Sequence, residues 1–156
     1  VVSGGASLHL IHSIAECEGI MFVCPHHEQS AGFAADSYSR LTGFGCAVAT
    51  SGPGALNLVT PISASFYDSI PVLYLTGQVT TGRMTGSSGV RQTGFQETPI
   101  CEIVRPIVKY AKTIMQPEII LDELAAAVTI ARTGRPGPVL IDIPDDLQRA
   151  EIQMRM

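Results

Sequence analysis

The chain has 156 residues, 46% of them hydrophobic and only 15% charged, with a formal net charge of −4. That length suits one domain with a substantial core, and the low charge suggests apolar surface that another domain or subunit covers. The ten Lys and Arg residues are scattered and form no basic stripe, which argues against nucleic acid or an anionic membrane as partner. No apolar run reaches the roughly 20 residues of a membrane helix. The four cysteines, Cys17, Cys24, Cys46 and Cys101, show no CxxC pair or metal-ligand spacing. Three of them lie in apolar contexts that predict buried, reduced thiols, and a cytoplasmic setting is expected.

In chain order, Val1-Val2 reads as the end of a strand, Ser3 to Ser7 as a Gly-rich turn and Leu8 to Ala15 as a helix. Because the sequence opens on a strand end, excision from a longer protein is expected. Ile20 to Cys24 is a short apolar run stopped by Pro25, and Ser30 to Leu41 is a helix of small and aromatic residues ended by Gly43. Gly45 to Thr50 is a fully apolar strand, Ser51 to Gly54 a turn, and Ala55 to Tyr67 a helix that Pro61 should kink unless it lies near the beginning.

Ile70 to Thr76 is the next strand, followed by a long loop, Gly77 to Gly94, rich in Gly, Ser and Thr. Such a loop in a compact domain is usually functional or mobile. Thr98 to Val108 has helical character, Pro117 to Arg132 is an amphipathic helix with a proline in its first turn, and Pro138 to Ile143 is the last strand. Apolar strands separated by helices predict an α/β fold: a doubly wound, mainly parallel sheet of five to six strands with helices on both faces. Ligands in such sheets sit beyond the carboxyl ends of the strands. Here those ends are Ser3 to Gly5, Pro25 to Gln29, Ser51 to Gly54 and Gly77-Gln78, which places Glu28 on the ligand edge.

Taken alone, Glu28 also suits a plain role beside the positive end of the following helix. The turn SGPGALN, Ser51 to Asn57, has the glycines of an anion cradle but neither a Walker nor a dinucleotide pattern, which disfavours a nucleotide-binding domain. His9 and His12 are one helical turn apart with no further ligand placed to complete a metal site. His26 and His27 are of the residue type that serves as acid and base, but no nucleophile partner stands at a known spacing from them, which disfavours that role. Asp142, Asp145 and Asp146 surround Pro144 and suit turn and cap roles better than a metal. TGFQETPI, Thr93 to Ile100, reads as a helix start with Glu97 beside the dipole.

In combination, PHHEQSAGFAADSYSRLTG, VATSGPGALNLVTPISASFYDSIPVLYLTGQV, GFQETPI and GRPGPVLIDIP, in this order, resemble the N-terminal pyrimidine-binding (PYR) domain of thiamine-diphosphate enzymes of the acetolactate synthase and pyruvate oxidase type. The resemblance spans the whole chain, residues 1–156. It implies thiamine diphosphate as cofactor and a carboligase or decarboxylase that uses a 2-oxo acid, most similar to acetolactate synthase. Glu28 matches the glutamate that hydrogen-bonds N1′ of the aminopyrimidine and promotes loss of the thiazolium C2 proton.

By the same resemblance Pro25 matches the turn before that glutamate, Thr50, Pro53, Gly54 and Asn57 the loop beside the pyrimidine, and Gln96 the glutamine of the FQE motif that reaches an active site. Gly52 and Gly54 are then expected to let the backbone approach a flat ring, and His27 to offer a polar contact to substrate. The family's second domain, which holds the diphosphate through Mg²⁺, has no counterpart here, so the chain alone is expected to be an inactive fragment. The implied partner is the diphosphate-binding domain of another subunit, in a homodimer or tetramer. FAD is bound by a middle domain in some relatives. A non-catalytic interaction or dimerisation module is the alternative.

Overall fold

The computed structural model describes residues 1–152, so the last four residues of the expected domain lie outside the described residues. Four strands form one all-parallel sheet: β1 (Gly45–Ala49), β2 (Val72–Gln78), β3 (Tyr110–Thr113) and β4 (Val139–Pro144), in the order β1-β2-β4-β3. The helices are α1 (Leu8–Glu16), α2 (Glu28–Thr42), α3 (Pro53–Asn57), α4 (Val59–Tyr67), α5 (Ile100–Val104), α6 (Ile120–Arg132) and α7 (Asp145–Gln148).

Side chains alternate across each strand, and this splits the core into two layers. Ala47, Ala49, Val72, Tyr74 and Leu140 pack with α2, α3, α4 and α5 on one face. Val48, Leu73, Leu75, Val139 and Ile141 pack with α1, α6 and α7 on the other. Helices on both faces of a parallel sheet are what the apolar strands predict.

Among the described residues the strands number four, below the five to six expected. Val1-Val2 and Ile20 to Cys24 belong to no strand, and their described backbone bonds are isolated: Val2 N–H donates to the Val48 carbonyl at 2.9 Å, the Val1 amine to the Val23 carbonyl at 2.8 Å and Ile20 N–H to the Cys17 carbonyl at 3.3 Å. A strand needs a ladder, and one bond does not make one. Conversely, β3 escapes the sequence pattern because it is a short, half-buried edge strand with Lys112 in its middle.

Helix α2 packs through small residues. A side chain on Gly32 would come within 2.4 Å of Pro61, so the glycine permits the close crossing of α2 and α4. The buried Asp36 is fully partnered, accepting from Arg40 Nε and Ser65 Oγ, both at 2.7 Å. The predicted helix Ala55 to Tyr67 divides into α3 and α4 at Leu58. Pro61 has no N–H to donate to the Asn57 carbonyl, which is the bond a continuous helix would need there. It therefore sits in the first turn of α4.

The cysteines correct the expectation of buried thiols. Only Cys101 is buried; Cys17, Cys24 and Cys46 are exposed. Cys24 is on a segment outside the sheet and Cys46 on the edge strand β1, where cover is incomplete. Among the described residues no helix is long and apolar enough to cross a membrane.

Candidate functional site

Glu28 is the first residue of α2 but does not cap it. His27 does, its Nδ1 accepting the Gln29 N–H at 3.1 Å. Relieved of capping, the Glu28 carboxylate crosses to α3, where Oε2 accepts from Asn57 Nδ2 at 2.9 Å. Among the described residues Oε1 has no hydrogen-bond partner, and the residue is only half-buried. An acceptor with a spare lone pair, fixed by one amide at a helix N-terminus, is available to a ligand.

The turn after β1 builds the wall beside it. A side chain on Gly54 would come within 2.7 Å of the Thr50 methyl and 3.3 Å of Glu28 Oε1, so only glycine leaves that space open. Thr50 also meets the first Gly-rich turn, since a side chain on Gly4 would lie 2.5 Å from it. Pro53 occupies the first position of α3, exposed on the same rim, and Pro25 forms the half-buried turn before His26.

Gln96 arrives from the far loop. Gly52 has φ +53°, and a side chain there would come within 2.4 Å of the Gln96 carbonyl. Gln96 itself has φ 60°, unusual for a residue with a side chain. Gly52 is thus explained by the Gln96 backbone and not by an approaching ring. The structure brings Glu28, Thr50, Gly54 and Asn57 together, and the contact at Gly52 joins Gln96 to the same turn.

Glu97 corrects the helix-dipole reading. Its carboxylate accepts from Thr85 N–H at 2.6 Å, Thr85 Oγ1 at 2.5 Å, Thr93 N–H at 3.1 Å and Gly94 N–H at 3.4 Å. Partial burial pushes this carboxyl up, but the bonds from Thr85, Thr93 and Gly94 outweigh it and hold the pKa below the ordinary value. The long loop is tied at its other end by Asp146, which accepts from Thr81 N–H at 3.0 Å and Oγ1 at 2.6 Å.

Asp142 also departs from the turn role. It lies inside β4, 1% exposed, and accepts from Thr76 Oγ1 at 2.7 Å, Gln78 Nε2 at 3.0 Å and Thr113 Oγ1 at 3.2 Å. Burial pushes its carboxyl up to about 6, while those three bonds pull the other way. A carboxylate inside the apolar run VLIDIP is the signal that could have marked it. His9 faces Asp145 at 3.8 Å, and no cluster able to hold a metal occurs among the described residues.

The fold is a doubly wound α/β domain with a half-free glutamate beyond the carboxyl end of β1. Residues 1–103 match the family described as thiamine pyrophosphate enzyme, N-terminal TPP binding domain, and the chain belongs to that family. It is similar to acetolactate synthase 2, chloroplastic, of Nicotiana tabacum, at 46% identity over 94% of this chain and 21% of that protein. The acetolactate synthase large subunit of Corynebacterium glutamicum is 43% identical over 97% of this chain and 23% of its own length. The probable acetolactate synthase large subunit of Methanocaldococcus jannaschii is 43% identical over 97% of this chain and 24% of its own length. The chain spans about a fifth to a quarter of the length of these curated relatives.

Proposed function

We propose that this chain is the pyrimidine-binding domain of a larger acetolactate-synthase-like enzyme that decarboxylates or joins 2-oxo acids. The observation that carries the reading is the Glu28 carboxylate, oriented by Asn57 through Oε2 and open at Oε1, beside a wall that a side chain at Gly54 would fill. These residues fit a flat aminopyrimidine: Glu28 offers the hydrogen-bonding edge, while Thr50, Pro53 and Gly54 flank the plane.

Thiamine diphosphate, when bound, supplies the carbanion chemistry at the 2-oxo carbon. The residues of this chain bind and orient the cofactor. Glu28 holds or accepts a proton at Oε1, Asn57 fixes the carboxyl plane, Pro25 and His27 set where the carboxylate starts, and Gln96 stands on the rim toward substrate. The Nδ1 of His27 is spent on the helix cap, so any contact with substrate would come from Nε2.

Mg²⁺ and the diphosphate fall to a second domain, read here as that of another subunit in a homodimer or tetramer, and FAD, where the parent carries it, to a third. Large apolar side chains left in solvent support a covering partner: Met21 is 99% and Phe95 82% exposed, and Leu41 and Tyr67 are also open. Free thiols on the surface suit a reducing compartment such as the cytoplasm. The test is cofactor C2 proton exchange in the full-length protein. Glu28→Gln should nearly abolish it; exchange at the parent rate would remove the catalytic reading in favour of a non-catalytic module.

A further inference from the structure

Gln96 stands on a short segment whose position is set from two sides. On one side Glu97 gathers Thr85, Thr93 and Gly94. On the other, the Thr98 carbonyl accepts from Gln78 Nε2 at 2.9 Å. The same nitrogen donates to Asp142 Oδ2 at 3.0 Å, and Gln78 Oε1 accepts the Val79 N–H at 3.0 Å. Gln78 is 2% exposed, and its amide is matched by these protein partners.

This pattern permits one orientation of the amide. Turned over, its oxygen would face the Thr98 carbonyl and the Asp142 carboxylate, and its nitrogen would face the Val79 N–H. Asp142 is anchored in turn by the sheet register, which sets Thr76 on β2 and Thr113 on β3 directly opposite it. Both threonine hydroxyls donate to it.

We propose that Gln78, oriented by Asp142, is a positioning residue of the cofactor site: it pins the Thr98 carbonyl and thereby holds Gln96 against Gly52. The inference rests on the reading of Gln96 as a site residue given above. Two further observations support it. Gln96 keeps a left-handed backbone, which persists only where its surroundings determine it. A cavity of about 400 Å³, lined by Gln78, Met84, Glu97, Thr98, Cys101 and Thr113 among others, lies against this segment, so packing alone does not hold that side.

The test uses the full-length protein with Gln78→Met, which keeps the length and removes the donor, and Asp142→Asn, which keeps the shape and replaces the charged acceptor of Gln78 Nε2 with an amide. For Gln78→Met, kcat should fall about tenfold, the factor one lost hydrogen bond represents, with KM for the 2-oxo acid within about twofold of the parent. Hydrogen exchange should rise by about the same factor at the Glu97 amide and stay unchanged in β4 and α6. Asp142→Asn should move both readouts in the same direction, and it decides the matter if Gln78→Met does not fold.

A lowered unfolding midpoint with parental kcat and parental exchange at Glu97 would make Gln78 merely structural and overturn the inference. Glu28→Gln is measured alongside. If it abolishes turnover while the Gln78 and Asp142 variants leave kcat and exchange untouched, the inference alone fails. If Glu28→Gln keeps turnover, the reading of the site fails, and exchange at Glu97 still decides the clamp.

Discussion

Two carboxylates end up at the same edge of the same sheet, and their surroundings give them opposite characters. Glu28, beyond β1, has one described hydrogen bond and an oxygen to spare. Asp142, inside β4, is sealed and accepts three. A carboxylate whose two oxygens are both matched by protein donors holds structure together, whereas one with an unmatched oxygen at a glycine-lined wall is free to accept from a ligand. The difference lies in the donors that the fold brings to each group, not in the groups themselves.

The largest expected effect falls on Glu28. Glu28→Gln in the full-length protein should slow cofactor C2 proton exchange by about 10³-fold, read by NMR, because it replaces a proton-exchanging group with an amide. Its effect on unfolding should be small. If Glu28→Gln instead lowered the unfolding midpoint and left C2 exchange unchanged, the two carboxylates would have to trade roles.

Asp142→Ala should do the converse. It leaves the Thr76 and Thr113 hydroxyls and the Gln78 amide without an acceptor in a buried place, and should cost about 2–3 kcal/mol in urea unfolding.

The pH dependence sharpens the comparison further. Burial raises the folded pKa of Asp142 from 3.8 to about 6, so the folded state binds this proton more tightly than the unfolded one. The contribution to stability is therefore full below the unfolded value and is lost as pH rises through about 6. Asp142→Asn should flatten this decline, by about 1–2 kcal/mol between pH 4 and 6 in chemical denaturation series on the parent and the variant.

The smallest effect is expected at Asn57. Asn57→Ala frees Glu28 Oε2 without removing the carboxyl, and should lower C2 exchange about fivefold, as for loss of one charge-assisted hydrogen bond. No change in exchange would mean that the helix start alone orients Glu28.

Much of this was legible in the residues. Gly43 ends α2 with φ 90° as predicted, Pro61 falls in the first turn of α4, and the apolar runs GCAVAT and VLIDIP become parallel strands with helices on both sides. The motifs around Glu28, SGPGALN and FQE carry the family, and the match over residues 1–103 bears that out. Local chemistry suffices there, because caps, turns and burial on both faces of a strand depend on neighbours in the chain.

Long-range pairing was not legible. Ile20 to Cys24 has the composition of a strand but no ladder partner in the described structure, while Tyr110–Thr113 lacks the composition and gains a partner in β4. The sequence by itself thus determined the fold class, the edge on which Glu28 stands and the family. Only the tertiary structure decided that His27 rather than Glu28 caps α2, that Gly52 makes room for Gln96, and that Asp142 meets Thr76 and Thr113 across the register. The reason is physical: a residue's type sets which hydrogen bonds it can make, but which it does make depends on groups tens of residues away that only the packed sheet brings within 3 Å or so.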